Sequence, residues 1–476
     1  MKPTAHAFKA QANAALSDAN LQHALKRVHG GFVRKRKAAM DALPEFEALR
    51  KAARAIKEHT LSHLDFYLER FESKVTANGG QVHWARTSPE ACEIINKICL
   101  DAHARRVIKG KSMIGEEIGI NQALEDTGLD VVETDLGEYI IQLARETPSH
   151  IIAPAIHKTR SDIARLFGEH HAKHGFTGSR MEVPELVDEA RKVLRDVFLT
   201  ADVGITGANF LIAETGSNVL VTNEGNGDLT CTLPRVHIVL ASIEKVLPTL
   251  EDAAIFLRLL GRSATGQEMS CYTTFSTGPR RATDSDGPEE YHVVLVDNGR
   301  SDILATPYRD ILYCIRCGAC LNHCPIYGAI GGHAYGWVYP GPMGAVLTPL
   351  LIGRTNARDL PNACTLNGRC EEVCPVNIPL PTLLRQLRID THGQEEVPRN
   401  MHIPLKTWSF FARHPRLYGH LSRLGTRMLG MLGRRYGQSK ALPFLNAWTT
   451  SRDLPIPQGE TFQAKWQQHR RHEEKE

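Results

Sequence analysis

Cys314-Ile-Arg-Cys317-Gly-Ala-Cys320-Leu-Asn-His-Cys324-Pro325 is a C-x2-C-x2-C-x3-C-P run, the spacing of bacterial-type iron–sulfur ligands. Three thiolates two residues apart wrap one face of an iron–sulfur cube, and the amides between them donate to its sulfides. The fourth cysteine lies too far along to close the same cube, so it serves a second one. Structural zinc takes its ligands as two pairs, which a triplet-plus-one layout fits poorly. A second run follows: Cys364-Thr-Leu-Asn367-Gly-Arg-Cys370-Glu-Glu-Val-Cys374-Pro375. It keeps the period, with Asn367 where the second cysteine would stand. Exchange of the fourth ligands predicts a 4Fe–4S cluster on Cys314, Cys317, Cys320 and Cys374. It predicts a second cluster on Cys324, Cys364 and Cys370, with Asn367 at the vacant corner. Three readings of that corner stand: a 3Fe–4S cluster, a 4Fe–4S cluster completed by Asn367 or water, or a cluster lost or silent. A missing thiolate removes negative charge from the iron and raises the reduction potential.

Outward from these runs, the chain is 476 residues long with 11 cysteines, seven of them in the two runs. The N-terminus, MKPTAHAFKAQANAAL, has no apolar core of a secretory signal, and clustered cysteines in a cytosolic chain favour metal over disulfides. The expected location is therefore cytoplasmic. Cys92, Cys99, Cys231 and Cys271 stand alone and read as small core hydrophobes. A hydrophobic share of 42% and a charged share of 23% describe a globular chain and exclude disordered and collagen-like classes. Lys+Arg 57 against Asp+Glu 53 leaves a net charge of +4, so the whole chain is no polyanion binder. No apolar run approaches the ~20 residues that span a bilayer.

The length suggests about three domains. Residues 1–80 read as helices by three- and four-residue apolar spacing. Residues 81–300 alternate short β-rich runs with helical stretches, which predicts a largely parallel α/β sheet. The β-rich runs include QVHWA (81–85), RVIKGKSM (106–113), DVVETD (130–135), HIIAPAI (150–156), RVHIVLASI (235–243) and YHVVLVDNG (291–299). Residues 301–395 hold the cysteine runs. The 39-residue insert between them carries a Gly-Pro-rich loop and then an apolar stretch. That insert predicts a helical two-cluster module in place of hairpin-joined halves. Residues 396–476 form a helical, basic C-terminal region.

The α/β region has no G-x-G-x-x-G and no P-loop. Gly225-Asn226-Gly227 alone reads as a turn. The stretches 204–218 and 222–228 are rich in Gly, Thr, Ser and Asn and fit either anion-binding loops at strand ends or tight turns. Lys109, Lys111, His157, Lys158 and Arg160 follow other strands and are candidates for positive charge there.

KGKSM (109–113), ETDLGEYI (133–140), PSHIIAPAIHK (148–158), GITGANFLIAETGS (204–217) and VTNEGNGDL (221–229) resemble the LUD domain. That domain is of the ribose-phosphate isomerase/CoA-transferase-like type. Followed by a two-cluster ferredoxin module and a C-terminal tail, the chain resembles the lactate utilization protein B family from about residue 20 onward. The resemblance implies an iron–sulfur electron-transfer subunit of a multi-component complex oxidising L-lactate to pyruvate, inactive alone. It also implies a cysteine-rich CCG-domain partner, a separate LUD-domain partner and a downstream electron acceptor. The family has cysteine where this chain has Asn367. Substrate transfer rests on analogy, because a fold does not fix a function. The alternatives are an electron-transfer adaptor for another hydroxy-acid dehydrogenase and a cluster-based redox sensor.

Residues 401–440 carry Lys406, Arg413, Arg416, Arg423, Arg427, Arg434, Arg435 and Lys440 and no Asp or Glu. Trp408, Phe410, Phe411, Leu417, Tyr418, Leu421, Leu424 and Met428 interleave with them. Such a basic amphipathic segment packs on its own protein, docks an acidic partner, or lies peripherally on the inner face of the membrane. No nucleic-acid recognition motif accompanies it.

Overall fold

The computed structural model describes residues 2–176, 181–393, 399–433, 438–439, 453–457 and 459–473. The chain divides into two compact units, Met1–Thr391 and His392–Glu476.

Ten strands build the α/β part of the first unit. They are β1 (Gln81–Ala85), β2 (Arg106–Lys109), β3 (Asp130–Glu133), β4 (Val203–Gly207), β5 (Phe210–Ile212), β6 (Ser217–Thr222), β7 (Val236–Ser242), β8 (Val246–Leu247), β9 (Tyr272–Ser276) and β10 (Glu290–Val296). Six form a sheet in the order β1-β10-β7-β4-β2-β3, and every pairing in it is parallel. The other four form a smaller sheet in the order β8-β5-β6-β9, antiparallel apart from the β5–β8 pair.

The inner strands of the large sheet, β10, β7, β4 and β2, are buried on both faces, as parallel strands covered by crossovers must be. Side-chain alternation divides them. In β10, Val294 and Val296 join the core with Ile95, Ile98 and Leu124, while Val293 and Leu295 face a second core. That second core is continuous with the N-terminal helices, through Phe46, Phe71 and Val75, and with the cysteine region, through Ile311, Leu347 and Leu384. A third core forms where the helices Arg160–His170 and Val183–Leu199 pack on Leu136–Ala144 through Phe167, Leu194 and Tyr139.

HIIAPAI is not a strand: residues 150–156 run through bends and turns. Pro154 cannot donate to a ladder. The backbone is bound locally instead: Ile152 N and Ala153 N donate to His150 Nδ1 at 3.0 and 3.2 Å, and Lys111 Nζ donates to Ile152 O. The region 113–125 is two short helices, Met113–Ile118 and Ile120–Glu125, broken at Gly119 with φ +73°. Cys271 is exposed, unlike the buried Cys99 and Cys231, because it precedes the edge strand β9, whose own pattern is mostly open.

In the cysteine region the insert folds as the helix Gly341–Ile352 followed by short helices, and residues 341–349 are buried. Among the described residues of the second unit the helices are Arg399–Ala412, Pro415–Gly433 and Phe462–Glu473. Trp408, Phe410, Leu424, Met428 and Met431 stay exposed there. Arg434, Arg435 and Lys440 lie outside the described residues. Among the described residues no helix is long and apolar enough to cross a membrane.

Candidate metal centre

The two cysteine runs share one backbone conformation. Arg316, two residues after Cys314, has φ +58°, and Leu366, two residues after Cys364, has φ +56°. Gly318 and Gly368 follow at φ +74° and +83°, a conformation glycine adopts without strain. In each run the residue with positive φ turns its amide onto the first sulfur: Arg316 N to Cys314 Sγ at 3.4 Å, Leu366 N to Cys364 Sγ at 3.3 Å. The last cysteines receive the same treatment, Tyr327 N to Cys324 Sγ at 3.5 Å and Ile378 N to Cys374 Sγ at 3.4 Å. Proline after each of these two cysteines leaves the next amide without a donor.

The fold brings Cys314, Cys317, Cys320 and Cys374 to one small cavity, walled by Ile151, Leu321, Met343 and Ile378. Cys324, Cys364 and Cys370 form a second group: Cys324 feels the charge of Cys364, and Cys370 that of both Cys364 and Cys324. Cys320 feels Cys370 as well, so the two groups are neighbours. Asn367 is exposed, and its Oδ1 accepts from Arg369 N at 3.1 Å. The donor chemistry suits iron. Burial pushes the thiols of Cys317 and Cys370 up to about 12 and that of Cys374 to about 11. A buried thiolate is therefore stable only beside a bound cation. The residues that would hold one cluster number four, and those for the other number three.

Arginines from the N-terminal helices fasten the second run. Arg36 Nη2 donates to Val373 O at 2.7 Å. Arg50 Nε donates to Cys374 O at 2.9 Å and its Nη2 to Glu372 O at 3.0 Å, and Arg54 Nη1 donates to Asn377 O at 2.5 Å. From the other side Arg388 donates to Pro361 O and Cys364 O, at 2.7 and 2.5 Å through Nη2. Helical periodicity revealed none of these contacts. The one available signal was a row of arginines on helices otherwise read for their apolar face.

Beneath the first run lies a buried ion network. Arg300 pairs with Glu117, Nη2 to Oε2 at 2.7 Å and Nη1 to Oε1 at 2.9 Å. Its Nε faces Glu244 Oε2 at 3.0 Å, a charge contact without hydrogen-bond alignment. Arg316 Nη2 donates to Glu244 Oε1 at 3.3 Å and stacks on the Tyr339 ring at 4.9 Å. Tyr339 donates its hydroxyl to Glu117, and Lys57 donates to the Glu244 carbonyl. Burial opposes ionisation of Glu244, yet Arg300 and Arg316 hold its carboxyl down to about 2.

The chain runs from β2 outward to β3 and returns to β4 on the other side of β2. This is a switch point of a parallel sheet, where ligands bind outside the strand ends. A cavity of about 610 Å³ opens there, lined by Lys111 and Ser112 after β2, Thr206–Asn209 at the end of β4, and Ser242 at the end of β7. Lys245, Arg316, Cys317 and Tyr339 line it too, so the cavity touches the first cysteine group. Of the candidate cations, Lys111 reaches this cavity. Lys109 is fully buried against Glu133 at 2.8 Å and Glu116 at 3.2 Å. His157 and Lys158 both bind Glu146, and Arg160 begins a helix. Gly227 is a packing position, for a Cβ there would meet Leu220 and Thr222 side chains at 2.8 and 2.9 Å.

Family models match three consecutive parts of the chain: the LUD domain at residues 68–296, the 4Fe-4S dicluster domain at 310–378, and the Lactate utilisation protein B C-terminal family at 395–471. Lactate utilization protein B of Shouchella clausii is 43% identical, covering 96% of this chain and 95% of its own. Its namesake in Geobacillus thermodenitrificans is 44% identical, covering 91% and 90%. The "Uncharacterized electron transport protein YkgF" of Escherichia coli is 42% identical over 98% of both chains.

Proposed function

The chain belongs to the lactate utilization protein B family, and from that premise we propose that it is the iron–sulfur electron-transfer subunit of a complex oxidising L-lactate to pyruvate. The observation that carries this reading is the end-to-end match to relatives named for lactate utilization, in a chain whose thiols gather as two adjacent groups. Iron–sulfur clusters supply one-electron carriage.

The residues divide the labour. Cys314, Cys317, Cys320 and Cys374 would hold a 4Fe–4S cluster, and Cys324, Cys364 and Cys370 a 3Fe–4S cluster or one with an open corner at Asn367. The amides of Tyr327 and Ile378 favour the charged sulfur of Cys324 and Cys374. Glu117, Glu244 and Arg300 hold Arg316 rigidly between two ligands of the first group. Ile151, Leu321, Met343 and Ile378 give it an apolar wall.

The partners proposed are a CCG-domain cysteine-rich subunit, a separate LUD-domain subunit and an acceptor downstream. The basic helices of the second unit are the surface proposed for docking one of them or an anionic membrane. The decisive experiment is lactate-dependent dye reduction by the anaerobically purified protein, with and without the two partner subunits. Reduction that requires all three chains is expected. Equal rates with a different hydroxy acid would point to a general adaptor, and binding that changes with oxidation state but gives no turnover would make the chain a sensor.

A further inference from the structure

The switch-point cavity has features that the electron-transfer reading leaves unused. Its volume of about 610 Å³ suits a ligand of nucleotide size and far exceeds a three-carbon acid. Apolar residues Ile140, Ile152, Pro154 and Leu260 form part of its wall. Lys245 opens on it and makes no hydrogen bond or ion pair among the described residues. Asn226 Oδ1 is a buried acceptor in the same wall without a hydrogen-bond partner. An unpartnered cation and an orphaned acceptor at one site are the complements of an anionic ligand that also carries an N–H donor. Cys317 itself lines the cavity, so a ligand there sits against the first cluster's thiolate.

The chemistry narrows the class. Oxidation of a 2-hydroxy acid to a 2-oxo acid releases two electrons and two protons together, whereas clusters accept electrons singly. A nicotinamide passes its pair as hydride and cannot divide it. A quinone divides it but carries no charge for Lys245. We propose that the cavity binds a flavin-mononucleotide-class carrier, its phosphate towards Lys245 and its ring edge towards Cys317. Reduced, such a carrier would hold two electrons and two protons. One electron would pass to the cluster that Cys314, Cys317, Cys320 and Cys374 would hold, and on to the one that Cys324, Cys364 and Cys370 would hold. The second electron would follow to the first cluster, and both protons would leave through the cavity mouth to water. The carrier would return to its oxidised form with each cluster reduced by one electron.

This inference rests on the electron-transfer reading above. It is tested by equilibrium dialysis of FMN against the full chain purified anaerobically with its clusters. One FMN per chain is expected to bind saturably, and riboflavin, lacking the phosphate, about tenfold more weakly or worse. Lys245→Met is expected to weaken FMN by about tenfold with iron content unchanged. Ala208→Phe, which fills the cavity from the end of β4, should abolish binding if the lysine variant does not fold. Photoreduced FMN should bleach the cluster absorbance of the wild type. Absence of saturable FMN binding, or FMN bound equally by the wild type and both variants, overturns the proposal. Lactate-dependent dye reduction without FMN binding would sink this site and leave the subunit assignment standing. FMN binding without lactate turnover would do the reverse.

Discussion

The two cysteine runs are near copies in backbone and opposites in surroundings. Arg316 and Leu366 share one positive φ, as do Gly318 and Gly368, and each first sulfur accepts from the amide two residues on. Yet Cys317 is buried on the floor of a cavity while Asn367, at the matching place, is exposed. The first run rests on side-chain charges, through Arg316, Glu244 and Arg300. The second is held through its carbonyls by Arg36, Arg50, Arg54 and Arg388. The two runs share a backbone conformation although their side chains differ at the place of Cys317 and Asn367. Their environments differ as well: Cys317 is buried next to Arg316, and Asn367 is open to solvent.

The comparison breaks most sharply at its one unmatched pair. Cys317→Ser should remove the first cluster, roughly half of the bound iron, and abolish lactate-dependent reduction in the reconstituted complex. Asn367→Ser should leave iron content at the wild-type value. Iron analysis of the two variants side by side reads this directly.

Next in size is the ion network. Glu244→Gln leaves Arg300 and Arg316 short of a buried counter-charge, and breaking such a pair costs about 3–5 kcal/mol. Arg388→Ala removes donors from two carbonyls of the second run and should cost about 1–3 kcal/mol. Urea midpoints of the two variants should fall in that order. The reverse order would show the second run to be the more tightly supported.

A smaller effect follows from pH. The Glu244 carboxyl lies at about 2 in the folded chain against an ordinary value of 4.5. The unfolded chain therefore takes up its proton first as pH falls. The stabilisation is whole above about pH 5 and is lost progressively as pH drops towards 2. Between about pH 5 and 3 the urea midpoint of the wild type should decline more steeply than that of Glu244→Gln. Parallel slopes would place the acid-sensitive charge elsewhere.

The smallest change to the molecule sharpens the comparison most. Asn367→Cys makes the second run a copy of the first. The three-iron EPR signal expected of the air-oxidised wild type should give way to a four-iron signal on reduction, with a lowered potential. Four-iron signals in both proteins would show that the corner is already closed by a non-thiolate ligand.

Local chemistry was legible. Cysteine spacing points to the iron–sulfur domain at residues 310–378, because cluster geometry is enforced within a dozen residues of chain. The parallel sheet was legible through runs such as Val236–Ser242 that are apolar on both faces. HIIAPAI misled because its apolar content outweighs its one proline, and the decisive contacts come from its own His150 and from Lys111, 41 residues before Ile152. The exposed β9 has no apolar alternation to read. The arginine clasps and the Glu117–Arg300–Glu244 network were illegible for a different reason: their partners lie 183 and 324 residues apart in the pairs Glu117–Arg300 and Arg50–Cys374, beyond the reach of any periodicity. The cavity shares this property, being assembled from strand ends and a cysteine loop that meet only in the folded chain.

The clasp of Arg50 on Cys374 has a consequence for biosynthesis. The ribosome delivers the N-terminal helices first and the last thiol of the first group some three hundred residues later, so a nascent chain presents Cys314, Cys317 and Cys320 with neither their fourth ligand nor the arginines' targets. The contacts of Arg36, Arg50 and Arg54 with the late loop can therefore form only once Cys374 has left the exit tunnel.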